Sequence, residues 1–332
     1  MASIKSSTVI QSNFAKGNHN LEQNLMFDIL KVSIDGALAS FDWVGKGDEK
    51  SADQAAVSAI RSSLNQLNID ATIVIGEGER DKAPMLYIGE KVGIGSGPKL
   101  DIALDPLEGT TICAHAAPEA MSVIAIAEEG GFLHAPDVYM EKIAIGPNFP
   151  PNIIDLDNTP HVNLQNIAKA KKCHVNDLTV AVLKRERHKE LIAKIREAGA
   201  KIQLISDGDI ASVISTAISN SNVDIYMGTG GAPEGVLAAA ALRATGGQMM
   251  GRLIFNDDNE KKRAYNMGIS DPNQKYMIDD LAKGNVIFAA TGVTSGSLLN
   301  GIEKLSNHYT SHSMITYSKN SSIHYITSTH KF

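Results

Sequence analysis

The sequence predicts an α/β protein with two sheet-containing domains, on three observations. Apolar runs at 71–75, 100–104 and 121–127, each bounded by Gly, Pro or acidic residues, have the length and setting of buried strands. Beyond position 160, short apolar runs alternate with helical periodicity, the pattern of βαβ units and of a mostly parallel sheet. Between the two regions, Pro147, Pro150, Pro151 and Pro160 crowd an Asn-rich stretch at 146–158 that discourages regular structure. The expected division is an N-terminal α+β domain at 1–150 and a C-terminal α/β domain at 151–332. A chain of 332 residues accommodates this, because domains cluster near roughly 100–150 residues.

Taken in order, residues 21–40 carry Leu25, Ile29, Val32 and Leu38 at near-helical spacing, and Gly45-Lys46-Gly47-Asp48 ends the pattern. A second helix is expected at 52–67 from Ala56, Ile60 and Leu64, with Ser51 or Asp53 near its start as a cap. The strand at 71–75 runs into Gly76-Glu77-Gly78-Glu79, and the strand at 100–104 runs into Asp105-Pro106. Two strands thus deliver carboxylates at their C-terminal ends, which is costly in a buried setting unless something neutralises them. Further strands are expected at 178–183, 201–205, 223–227 and 285–290, with helices ending near Ala198 and starting after Asp209 and Pro233. The Ser- and His-rich end at 306–332 predicts no definite element.

Composition narrows the function classes. Hydrophobic content of 43% and charged content of 20% are those of an ordinary globular chain. A net charge of −6 argues against a nucleic-acid partner, which requires clustered Lys and Arg. No apolar run approaches the roughly 18 residues of a membrane span, and 1–20 has no hydrophobic signal region, so a cytoplasmic protein without a membrane partner is expected. Cys113 and Cys173 are far apart and show no Cys-x-x-Cys spacing, as befits two buried thiols in a reducing compartment.

Four segments carry chemistry. Asp105-Pro106-Leu107-Glu108-Gly109-Thr110 sets two carboxylates three residues apart on a turn, with a backbone carbonyl between and a hydroxyl after. It reads either as a solvated acidic bend or as oxygen ligands for a hard divalent cation. Glu77, between Gly76 and Gly78, and Asp53, at a helix start, add further acids; together they suggest a shared cation site suited to phosphoryl transfer. Gly228-Thr229-Gly230-Gly231-Ala232-Pro233-Glu234-Gly235 leads from a strand into a helix, either as a structural turn or as an anion or metal site using Glu234. Arg185-Glu186-Arg187-His188 follows a strand and offers two guanidiniums to a second phosphate, or else is an exposed charged helix start. Asp207-Gly208-Asp209 suits sugar hydroxyls or a helix cap. His115, His134 and His188 have no ligand spacing and read as ordinary histidines.

From about Phe27 to Tyr325 the chain resembles the class II fructose-1,6-bisphosphatases of bacteria, within the lithium-sensitive, metal-dependent phosphatase superfamily. The resemblance is carried by Trp43-Val44-Gly45-Lys46-Gly47-Asp48, Ile75 to Glu79, Ala83 to Gly93, the Asp105 to Thr110 segment, Ala135 to Lys142, Gly230 to Gly235 and Ser322-Ile323-His324-Tyr325. It implies a layered α/β/α/β/α fold and hydrolysis of the 1-phosphate of fructose 1,6-bisphosphate in gluconeogenesis, with Mn²⁺ or Mg²⁺, by a homo-oligomer. Asp53, Glu77, Asp105, Glu108 and Glu234 match the metal-binding acids of the family. Glu108, Gly109, Thr110, Tyr139, Asp207, Gly208, Asp209 and Gly231 match substrate contacts, and Arg185, Glu186 and Arg187 stand where the family usually has Lys-Pro-Arg. A carboxylate at 186 repels a phosphate beside it, which sets Glu186 apart from the two arginines. Glu49-Lys50 replaces a more usual Lys-first order, and 252–285 is shorter than in many relatives. Thr110 with Asp53 is expected to position or deprotonate the attacking water. Sedoheptulose 1,7-bisphosphate, an inositol phosphate or a nucleotide are the alternative substrates, and a non-catalytic sugar-phosphate-binding regulator is the alternative of another class.

Overall fold

The computed structural model describes residues 24–77 and 85–331. Leu21, Gly78, Glu79, Ala83 and Pro84, which figure in the expectations above, lie outside the described residues. In chain order the strands are β1 (Asp70–Ile75), β2 (Lys91–Val92), β3 (Lys99–Glu108), β4 (Met121–Glu128), β5 (Tyr139–Ile145), β6 (Thr179–Leu183) and β7 (Lys201–Ile205). They continue with β8 (Ile225–Gly231), β9 (Gln248–Ile254), β10 (Lys275–Met277), β11 (Val286–Gly292), β12 (Glu303–Lys304), β13 (His308–Tyr317) and β14 (Ser322–Lys331). The α-helices are α1 (Asn24–Phe41), α2 (Glu49–Leu64), α3 (Thr110–Ala114), α4 (Pro160–Lys171), α5 (Lys189–Glu197), α6 (Ile210–Ser215), α7 (Ala232–Thr245), α8 (Asp258–Asn266) and α9 (Ile278–Leu281).

Among the described residues these build two sheets, one of eight strands in the order β12-β13-β11-β4-β3-β1-β2, with β14 on β13, and one of six in the order β10-β9-β5-β8-β6-β7. Sheet membership does not follow position 150. β5 lies in the six-stranded sheet, and β11 to β14 return to the eight-stranded one. The expectation of a mostly parallel second sheet is corrected: only β6 with β7 and β6 with β8 run parallel, while β5 runs antiparallel to both β8 and β9. β5 enters from the first half of the chain, so no βαβ crossover sets its direction.

Among the described residues, three of the four apolar clusters lie between the layers and explain the stacking. α1 and α2 cover one face of the eight-stranded sheet, where Ile29, Val57 and Ile60 meet Ile73, Ile102, Ile126 and Ile287. The opposite face, with Ala103, Val123, Ala125 and Phe288, packs on α7, whose far side meets Met140, Ala144 and Tyr226 of the six-stranded sheet. α7 is buried nearly all round, from Gly235 through Leu242 without a break, as a helix held between two sheets must be. Its run of alanines keeps both sheets close. α4 and α5 seal the outer face through Leu164, Ile167 and Ile195 against Ile143, Val180 and Ile225. The layering is therefore α/β/α/β/α.

Candidate active site

The two parallel neighbours β1 and β3 bring their C-terminal ends side by side. Glu77 follows β1 and is pinned where its N–H donates to the Leu86 carbonyl at 2.9 Å. The Asp105 to Thr110 segment, expected as a turn, is instead the last residues of β3 followed by the entry into α3. The strand continues through Pro106 to Glu108, with a register shift against β4 between Asp105 and Glu108. A bulge is where a strand tolerates proline, and it bends the strand so that nearby side chains are re-aimed. The Leu107 N–H donates to Asp105 Oδ1 at 3.1 Å. Gly109, at φ 83°, then turns the chain into α3, which starts at Thr110.

Asp53 reaches the same place from α2. Neither Ser51 nor Asp53 caps that helix: Asp48 does, accepting from the Ser51 N–H at 3.0 Å. Asp53, free of capping, is half-buried at the cleft. Glu234 sits in the first turn of α7 and folds back over Gly231, where an added Cβ would lie 1.8 Å from its Oε2. Oxygens of Asp105, Glu108 and Glu234 come within 4.8 Å of one another, and all five acids line one cleft of about 490 Å³.

Electrostatics marks this cluster as incomplete on its own. Burial, reinforced by Asp105, raises the Asp53 carboxyl to about 6. Burial together with Asp53, Asp105 and Asp137 raises Glu77 to about 8. Glu108 is pushed well above the carboxylate range by burial and by Asp105 and Glu234, and burial raises Asp105 as well. Glu234 rises to about 7 through burial, partly offset by the Lys142 ammonium. Its Oε2 is buried without a hydrogen-bond partner. Converging carboxylates that resist ionisation are what a hard divalent cation relieves, so the donor set fits such an ion.

The same cleft also carries cations. Arg185 donates to the Ser206 carbonyl and pairs with Asp207. Arg187 donates to the Thr229 carbonyl through Nε at 3.0 Å and Nη2 at 2.8 Å, and its guanidinium lies 4.7 Å from the Tyr139 ring centroid. Gly208, at φ 61°, passes so close to Glu108 that a Cβ would stand 2.9 Å from Oε1. Glu186 is the one expected site residue that lies elsewhere: its side chain is 89% exposed, meets Lys189 at 3.4 Å and does not line the cleft.

Two assignments settle on geometry. Asp209 makes no cap hydrogen bond to α6; it turns to Lys142 Nζ at 2.5 Å and accepts from Tyr226 Oη at 2.7 Å. His188 is a buried structural residue, its Nε2 accepting from the Thr229 N–H at 2.8 Å and its Nδ1 donating to the Leu183 carbonyl at 2.7 Å. Sequence reasoning missed Lys142, since a lysine in a strand reads as a surface residue. The alternation along β5, with Ile143 and Ile145 on the outer face, was the signal available.

A sequence model of the family described as "Bacterial fructose-1,6-bisphosphatase, glpX-encoded" matches residues 23–330. The chain belongs to this family. A relative from Escherichia coli (strain K12), named fructose-1,6-bisphosphatase 1 class 2, is 44% identical over 324 residues, covering 93% of this chain and 96% of the relative. Another from Trichodesmium erythraeum, named D-fructose 1,6-bisphosphatase class 2/sedoheptulose 1,7-bisphosphatase, is 41% identical over 330 residues, covering 92% and 95%. An inositol monophosphatase structure from Anabaena (Nostoc) sp. shows a distant likeness, with a TM-score of 0.33 and 14% identity over 61% of this chain and 74% of that one. Within the family setting, the outward-facing Glu186 removes the electrostatic conflict that its position in the sequence posed.

Proposed function

We propose that this chain is a metal-dependent phosphatase that hydrolyses the 1-phosphate of fructose 1,6-bisphosphate, giving fructose 6-phosphate and inorganic phosphate. One observation carries the function: a single cleft of about 490 Å³ is lined by five carboxylates and two guanidiniums. A cation subsite together with an anion subsite suits a substrate with a phosphate at each end. Membership of the glpX family supports the choice of substrate.

Asp105, Glu108 and Glu234 would hold a divalent cation, with Asp53 and Glu77 beside them. When bound, that ion supplies positive charge to the phosphate oxygens and to the departing sugar oxygen. The chain does the rest. Thr110, fixed at the start of α3 by the left-handed Gly109, orients a water for attack in line with the leaving oxygen. Asp53 takes the proton of that water on a carboxylate oxygen. The new bond joins the water oxygen to phosphorus, the bond from phosphorus to the sugar O1 breaks, and O1 takes a proton from solvent while Asp53 returns its own to solvent. Arg185 and Arg187 bind the second phosphate and fix the sugar's direction. Family likeness also supports Mn²⁺ or Mg²⁺ as the ion, a place in gluconeogenesis, a homo-oligomer and a cytoplasmic address. No helix among the described residues is long and apolar enough to cross a membrane.

Phosphate release from fructose 1,6-bisphosphate by purified protein tests the function, with Mn²⁺ and Mg²⁺ in turn. Release abolished by chelation and restored by either ion is expected; no release with either ion overturns it. The name of the Trichodesmium erythraeum relative favours sedoheptulose 1,7-bisphosphate as a second substrate, which the ratio of kcat/KM for the two sugars decides.

A further inference from the structure

Lys142 belongs to neither the cation subsite nor the phosphate subsite, yet it is among the largest fully buried side chains of the molecule. Alternation along β5 turns Ile143 and Ile145 to the outer core, and Met140 and Ala144 to the inner one. Lys142 shares the inner face, beneath the cleft. Its Nζ lies 2.5 Å from Asp209 Oδ2 and donates to the Gly231 carbonyl at 3.0 Å. Tyr226, on β8, donates its hydroxyl to the same Oδ2 at 2.7 Å. Two donors thus converge on one oxygen of the carboxylate. The other oxygen, Oδ1, is buried with no hydrogen-bond partner, although Asp209 lines the cleft.

Space for this arrangement is specified in the sequence. A Cβ at Gly230 would stand 2.2 Å from Asp209 Oδ2 and 3.0 Å from Lys142 Nζ, and one at Gly235 would stand 3.3 Å from Lys142 Cδ. These glycines are needed for room, since neither has a positive φ. A desolvated acceptor left unpaired is unfavourable until a ligand supplies a donor. Sites built to meet a hydroxyl discriminate strongly against ligands that lack it, for the same reason. Lys142 adds a second effect: it neutralises Asp209, so a carboxylate can stand beside a doubly phosphorylated substrate without net repulsion.

We propose that Lys142 and Tyr226 are positioning residues that clamp Asp209 by Oδ2, presenting Oδ1 as the acceptor for a sugar hydroxyl and so setting the preference for sugar phosphates over phosphate alone. The proposal rests on the function stated above and extends it to residues outside the substrate contacts. It is tested by competitive inhibition of the wild type and of Tyr226→Phe, using fructose 6-phosphate, which carries the hydroxyls, and inorganic phosphate, which does not. The inhibition constant for fructose 6-phosphate should rise about tenfold, the weight of one hydrogen bond to a carboxylate, while that for inorganic phosphate stays within about twofold. Lys142→Met, which removes the charge and leaves Tyr226 in place, should shift the ratio of the two constants in the same direction. An equal rise for both inhibitors marks a merely structural prop and overturns the inference, as does no rise for either. Lack of turnover of any sugar bisphosphate by the wild type overturns the underlying function instead, and is read before either variant is made.

Discussion

Carboxylate oxygens of Asp105 and Glu108 lie within 4.8 Å of each other, although the two residues stand three apart on one strand. In a regular strand such positions face opposite sides; the bulge between them brings both to the same point. Burial raises both carboxyls, and the Asp105 charge raises Glu108 further, so the two resist ionising together. The cation-free site therefore holds protons that an arriving cation must displace.

Proton release on cation binding follows. With Glu77 raised to about 8 and Glu234 to about 7, both are substantially protonated near neutrality in the cation-free protein. Titration calorimetry with Mn²⁺ in two buffers of different ionisation enthalpy should give a net release of protons at about pH 7. A binding heat that does not depend on the buffer would contradict the reading of the cluster.

Stability should then depend on pH with an unusual sign. A carboxyl whose folded pKa is raised keeps its proton more tightly folded than unfolded, so its contribution is full below the unfolded value and is lost as pH rises through the folded one. For Glu77 that window runs from 4.5 to about 8, for Glu234 from 4.5 to about 7 and for Asp53 from 3.8 to about 6. In chelator, the melting temperature should fall across this range; with saturating Mn²⁺ or Mg²⁺ the fall should disappear. A melting temperature in chelator that is flat or rising from pH 5 to 8 refutes it.

Thr110→Ala removes the hydroxyl at the start of α3 and leaves every carboxylate in place. Turnover should drop between about 100- and 10,000-fold with KM nearly unchanged, as for loss of a group that orients or deprotonates the nucleophile. Steady-state kinetics decides, and unaltered kcat removes Thr110 from the mechanism.

Arg187 and Glu186 are neighbours in sequence with opposite expectations. Arg187 lines the cleft and stacks over Tyr139, so Arg187→Ala should raise KM for the bisphosphate about tenfold to a hundredfold. Glu186 points to solvent, and Glu186→Ala should leave kcat/KM within about twofold. A large loss in the second variant would place Glu186 within the cleft.

What the sequence disclosed depended on locality. β1, β3 and β4 were legible because their apolar runs are continuous, and the acids at their ends were legible because the runs stop there. α7 was legible from Pro233 and the alanine run. β13 and β14 were not, because their residues are largely Ser, Thr, His and Tyr, and β14 keeps much of its surface exposed. The direction of β5 was hidden since its two partners lie some 80 to 115 residues away in sequence. Lys142 was hidden for a related reason: its counter-ion, Asp209, comes from the loop between β7 and α6, and only the assembled sheet shows a lysine with no exposed side-chain surface.

Gly231 offers the sharpest separation of the cation site from the fold. Its φ of −65° is open to any residue, so alanine there introduces no backbone strain. The added Cβ would fall 1.8 Å from Glu234 Oε2 and 2.5 Å from its carboxyl carbon, which forces that side chain out of the cluster. Asp105 and Glu108 would then lack the third carboxylate that completes their group. Gly231→Ala should weaken Mn²⁺ binding by at least about tenfold in calorimetry. The cation-free melting temperature should stay close to that of the wild type, because a desolvated carboxyl that resists ionisation leaves the cluster as the methyl group enters. Unchanged Mn²⁺ affinity in a folded Gly231→Ala protein would show that Glu234 is not a ligand.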